Sequence, residues 1–125
     1  MENKIILSQL GHTWLIDIDG TIVKHNGYKI DGHDTLLPGV KDFWSSIPAD
    51  DTILLLTSRK EEYREETVRF LHENDIRFDQ IIFNLPYGER ILINDKKPSG
   101  LNTGHCVELE RDNGLNTAVV IDSTL

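Results

Sequence analysis

The sequence predicts an α/β fold: a doubly wound, mostly parallel sheet with helices on both faces. Three observations predict it. Short apolar runs of strand length, above all Trp14–Ile22 and Ile53–Leu56, alternate with segments whose apolar residues recur at helical spacing. The runs end in Gly, Thr/Ser or an acid, as strands do when they deliver polar side chains to the C-terminal edge of an open sheet. With 125 residues, 38% hydrophobic and 27% charged, the chain has the composition of a single globular domain, 1–125.

The elements follow in order. Trp14-Leu15-Ile16-Asp17-Ile18-Asp19-Gly20-Thr21-Ile22 is a buried strand delivered into a Gly turn, with Asp17 and Asp19 on one side and Ile18 on the other. Val23–Leu37 is rich in Gly, His, Asp and Lys and suits a small hairpin or flap turning at Asn26-Gly27. Pro38-Gly39 punctuates the chain. Val40, Phe43, Trp44 and Ile47, at i, i+3, i+4 and i+7, make a short amphipathic helix that Pro48 ends. Ile53–Leu56 is the second buried strand. Glu61–Asn74 is the clearest helix, with Tyr63, Thr67, Phe70 and Leu71 on one stripe. Gln80–Phe83 and Ile91–Ile93 read as further strands, as do His105–Leu109 and Thr117–Ile121, with a turn at Asn113-Gly114.

Composition narrows the function. A net charge of −8 argues against a nucleic-acid backbone or an anionic membrane as the main partner. Cys106 is the only cysteine, so no internal disulfide forms and a reducing, cytoplasmic home is expected. The first apolar stretch is too short for a signal peptide, and no run approaches the ~18 apolar residues of a membrane span. The five histidines lack the spacing of a zinc site. Asp17 and Asp19 crowd one strand end, where they must be neutralised, most simply by a hard divalent cation such as Mg²⁺.

Asp17-Ile18-Asp19-Gly20-Thr21, ending an apolar strand, resembles the first motif of the haloacid dehalogenase (HAD) superfamily. Two later landmarks agree with it: Ile53-Leu54-Leu55-Leu56-Thr57-Ser58-Arg59 is similar to that family's second motif, and Ile91-Leu92-Ile93-Asn94-Asp95 to its fourth. The resemblance implies a HAD-like Rossmannoid catalytic domain and a Mg²⁺-dependent phosphomonoester hydrolase working through an aspartyl-phosphate. Asp17 is then the nucleophile and Asp19 the general acid and base. Asp95 completes the metal site with Asp17 and the main-chain carbonyl of Asp19. Thr57 and Ser58 bind the phosphoryl oxygens, a role compatible with capping the helix that follows. The family's neutralising cation falls to Lys97 ahead of Lys96, with Arg90 behind both. Arg59 is either a contact to a substrate acid group or an exposed first-turn residue.

The same resemblance bounds the substrate. The gap from Asp17 to Pro38 is well short of the ~40 residues below which a domain rarely keeps its own core, so a capless member is expected. Its site would be covered by the 23–37 flap or by a neighbouring subunit of a homo-oligomer. Asp95-Lys96-Lys97-Pro98-Ser99-Gly100 resembles small bacterial members associated with surface-polysaccharide sugars, which points to a small phosphorylated metabolite such as a sugar phosphate. Two alternatives stand beside the hydrolase. One is a catalytically weak HAD scaffold serving as a binding module, motivated by the single acid at Asp95. The other is a receiver-like phosphoacceptor domain, disfavoured because the central Ile53–Leu56 strand ends in Thr57 rather than an aspartate.

Overall fold

Apolar runs that find a partner become strands, and among the described residues every pairing of one strand with another is parallel. The computed structural model describes residues 3–125, in the order β1 (Asn3–Leu7), β2 (Thr13–Asp17), α1 (Gly27–Ile30), α2 (Val40–Ser46), β3 (Thr52–Leu56), α3 (Arg64–Glu73), β4 (Gln80–Ile82) and β5 (Thr117–Ile121). A 3-10 turn at Glu61–Tyr63 leads into α3. The architecture is α/β with parallel strands, divided between two small sheets: β2-β3-β4 and β1-β5. Among the described residues, no helix is long and apolar enough to cross a membrane.

The core lies on one face of the three-stranded sheet. In β3 the alternation of a pleated strand buries Ile53 and Leu55 completely, and each such side chain contributes roughly 1.5–3 kcal/mol. Ile16, Ile18 and Ile22 join them, with Val40, Phe43 and Trp44 of α2 and Leu71 of α3. Trp14 meets Phe43 edge to face, ring centroids 5.7 Å apart. The other face is only partly covered, leaving Leu15 48% and Ile82 40% exposed.

The flap differs from a simple hairpin. Its base is a hairpin base, with an antiparallel bridge between Val23 and Leu36. Lys24 N–H donates to the Thr35 carbonyl at 3.0 Å and Leu37 N–H to the Ile22 carbonyl at 2.9 Å. Its tip is the one-turn helix α1, entered through Asn26 in the left-handed region at φ 57°. Further along, Asn113-Gly114 does turn, and it is stitched to Pro38-Gly39. Leu115 N–H donates to the Pro38 carbonyl at 2.9 Å. A Cβ on Gly39 would fall 2.1 Å from the Leu115 carbonyl oxygen, so only glycine permits this approach.

Two expected strands are absent. Ile91–Ile93 and His105–Leu109 are irregular, and Ile91 and Ile93 are 83% and 90% exposed. A strand needs a ladder partner for its N–H groups; around Pro98 the backbone instead closes a local turn, Gly100 N–H donating to the Lys97 carbonyl at 2.8 Å. Cys106 falls in the second of these stretches and is exposed.

Asp51, just before β3, ties that strand to the start of β2. Its carboxylate accepts from the Trp14 indole N–H at 2.9 Å and from the His12 main-chain N–H at 3.1 Å, and faces the His12 ring at 2.7 Å. Burial by itself would raise its pKa, but the bonds from Trp14 and His12 prevail and hold it below the usual carboxylate range. A depressed carboxylate contributes stability that is present above its unfolded pKa and is lost as pH falls through its folded pKa. Asp51→Asn is therefore expected to cost about 1–3 kcal/mol at neutral pH and progressively less in acid. Urea unfolding at pH 7 and pH 3 checks this. An equal loss at both would remove the ionised carboxylate from the account.

Candidate active site

Parallel register builds the site. Asp17 of β2 pairs with Leu56 of β3, so the residues leaving the two strands emerge side by side at one sheet edge. Ile18 N–H continues the ladder to the Leu56 carbonyl at 3.0 Å, and Ile18 itself is buried. The chain then tightens through Gly20, at φ +86°, whose N–H donates to the Val23 carbonyl. Asp17 and Asp19 are thus held at the C-terminal edge with Thr57, Ser58 and Arg59 beside them. Open α/β sheets bind their ligands at this edge.

The two aspartates differ sharply in surroundings. Asp17 is about one-third exposed; its Oδ2 accepts from the Thr21 hydroxyl at 3.2 Å and its Oδ1 from Arg90 Nη1 at 2.7 Å. Asp19 is largely buried and tightly held. Its Oδ1 accepts from Arg59 Nη2 at 2.9 Å and Nε at 3.1 Å; its Oδ2 accepts from the Thr57 hydroxyl at 3.0 Å and, more weakly, from Arg59 Nε at 3.3 Å.

Arg59 organises this cluster. Only 4% exposed, it grips Asp19 on one side and Asp34 of the flap on the other, through Nη2 at 2.7 Å and Nη1 at 3.1 Å. Nη1 also donates to the Thr67 hydroxyl at 2.9 Å, and the Tyr28 ring lies 4.0 Å from the guanidinium carbon. All five N–H donors are engaged, leaving none for a substrate acid group in this conformation. Burial disfavours its charge, but the bonds and charges of Asp34 and Asp19 outweigh that and raise its pKa further.

The remaining sequence-predicted residues fall as follows. Thr57 is fully buried; its hydroxyl accepts from Arg59 N–H at 3.0 Å and gives its proton to Asp19, so it orients the acid. Ser58 sits at the edge, its hydroxyl 3.3 Å from the Pro86 carbonyl. Lys96, Lys97 and Asp95 are exposed in the irregular segment, where the Thr103 hydroxyl donates to the Asp95 carbonyl. Among the described residues, no three His, Cys, Asp or Glu side chains form a group that could hold a metal ion.

The cation that reaches Asp17 is Arg90, behind the lysines in the sequence reading because its offset from the strand ends carries no signal. Asp34 was visible only as one of several polar flap residues, and Tyr28 gave no sign of its part. A hollow of about 280 Å³ lined by Lys41, Trp44, Ser45, Asn74, Asp75 and Arg77 shares no residue with this edge.

Fold and site together define a parallel α/β protein with two aspartates and two arginines converging at a strand edge. Compared with protein-family models, curated proteins and solved structures, the chain matches none of them.

Proposed function

We propose that this chain is a capless phosphomonoester hydrolase of the HAD superfamily, its parallel strands being those of that family's doubly wound sheet. Its substrate would be a small phosphorylated metabolite of the cytoplasm, with a sugar phosphate the class favoured by the resemblance at 95–100. One observation carries the reading: a partly exposed Asp17 stands two residues from a buried Asp19 whose orientation is fixed by Arg59 and Thr57. An accessible carboxylate beside an oriented one is the division of labour between nucleophile and proton carrier.

In the first step an Asp17 oxygen attacks phosphorus, and the bond to the leaving oxygen breaks as Asp19 gives that oxygen a proton. In the second step Asp19 takes a proton from water, which attacks the aspartyl-phosphate, releasing phosphate and restoring Asp17. Arg90 would leave Asp17 for the phosphoryl oxygens, a geometry that its planar fork matches.

Mg²⁺, when bound, would supply further positive charge to those oxygens. The Asp17 and Asp95 carboxylates and the Asp19 carbonyl are hard oxygen donors of the kind it takes. Arg90 bonded to Asp17 favours the second reading, a scaffold that binds without turnover.

Hydrolysis of p-nitrophenyl phosphate separates the two. Turnover is expected with Mg²⁺ and not with chelator, and Ca²⁺ should inhibit because its looser coordination mispositions the nucleophile. Asp95→Ala should raise the Mg²⁺ requirement by roughly tenfold or more. Full activity in chelator would contradict the metal assignment, and an unchanged requirement would remove Asp95 from it. No turnover of any phosphorylated metabolite under either condition would favour the scaffold.

A further inference from the structure

We propose that Arg59 is a positioning residue that makes seating of the flap and orientation of Asp19 a single event. The catalytic half of this inference rests on the hydrolase reading; the mechanical half does not. Arg59 follows β3, Asp19 follows β2, and Asp34 and Tyr28 belong to the flap, so one guanidinium joins three separate segments.

The geometry leaves little slack. Asp34 takes the outer fork of the guanidinium with both oxygens, Asp19 takes Nε and Nη2, and Nη2 is shared between the two carboxylates. Shifting the guanidinium to follow one carboxylate lengthens its bonds to the other. The Asp34 carboxylate is nearly as buried as Arg59 itself, so water cannot readily replace a lost partner. Tyr28 closes the ring face and packs edge to face on Tyr63, centroids 5.0 Å apart, which carries the contact on to the approach to α3.

Coupling through a shared group is reciprocal: whatever loosens Asp19 must loosen the flap, and the reverse. This differs from a flap that merely rests on the site. It assigns recognition and chemistry to one switch, because a substrate that displaces the flap also releases the proton carrier.

The test is hydrogen exchange on the whole protein, read at the Lys24 and Leu37 amides whose bonds close the flap base. Asp34→Asn is expected to speed exchange there about tenfold, within the usual span of coupling between sites, while the buried Ile76 amide, bonded to the Leu71 carbonyl, stays protected. Asp19→Asn, which alters no flap residue, should speed the same two amides by a similar factor. Arg59→Lys should not restore slow exchange, because an ammonium cannot present both forks. If Arg59→Lys fails to fold, the two aspartate variants alone decide the matter. Unchanged flap exchange in Asp19→Asn would overturn the coupling, whatever the activity.

Turnover supplies the second arm. If wild type hydrolyses p-nitrophenyl phosphate, Asp34→Asn should lower kcat about tenfold with KM nearly unchanged, because Asp34 touches Arg59 rather than the edge. A change in KM alone would overturn the link to Asp19 orientation. If wild type shows no turnover but exchange couples as described, the hydrolase reading fails and the latch stands.

Discussion

Asp17→Asn is expected to lower phosphomonoester turnover by about a thousandfold or more while the protein stays folded. An amide can neither attack phosphorus nor form the acyl-phosphate, and loss of a nucleophile is among the largest effects that one substitution produces. The structure indicates a small stability cost. Asp17 is partly exposed, and its pair with Arg90, itself about one-third exposed, is the kind of surface ion pair worth about 0–1 kcal/mol. Steady-state assay and urea unfolding on one preparation check both halves. Retention of more than about a tenth of wild-type activity would exclude nucleophilic catalysis by Asp17.

The second large effect is on stability. Arg59→Met leaves the Asp19 and Asp34 carboxylates facing one another without their cation, and breaking a buried ion pair by removing one partner costs about 3–5 kcal/mol. Against a total stability of about 5–15 kcal/mol for an ordinary domain, that is a large fraction. Arg69→Met, which removes an exposed helix pair with Glu65, is the control and should stay within about 0.5 kcal/mol. Adding Asp19→Asn and Asp34→Asn to Arg59→Met should recover part of the loss, since the uncompensated charges are then gone. A loss no greater than the control's, measured by urea unfolding, would show that the cluster carries little of the fold's stability.

The parallel α/β class was legible because its signal is local: strand-length apolar runs closed by turn residues, with a helix between them. The Ile53–Leu56 strand appears where it was expected, the first acidic strand covers Thr13–Asp17 and gives way to turns before Ile22, and Pro38-Gly39 and Asn113-Gly114 turn as their chemistry demands. β1 was harder to see, since Asn3–Leu7 is short and becomes a strand only through pairing with β5 at the far end of the chain. The reverse holds for Ile91–Ile93, an apolar run that has no ladder partner. Sequence pattern reports burial potential, and pairing over long separations decides whether it is used.

The site divides in the same way. Asp17, Asp19, Thr57 and Ser58 lie within a few residues of strand ends, so spacing locates them. Arg59 was visible by position, but not as the buried centre of a cluster. Its role depends on Asp34 and Thr67, which come from elsewhere in the chain, and no spacing rule joins them. Arg90 reaches Asp17 from an irregular segment far along the chain, where nothing local distinguishes it from its lysine neighbours.

Trapping the aspartyl-phosphate asks directly whether Asp17 carries the phosphoryl group. Protein mixed with p-nitrophenyl phosphate and Mg²⁺, quenched in acid within the first turnover, would be digested and its peptides weighed. If Asp17 is the phosphoryl carrier, one added phosphoryl group appears on the peptide containing Asp17, labile in base and absent from Asp17→Asn. Turnover that proceeds with that peptide unmodified, or with the label on another residue, would contradict it.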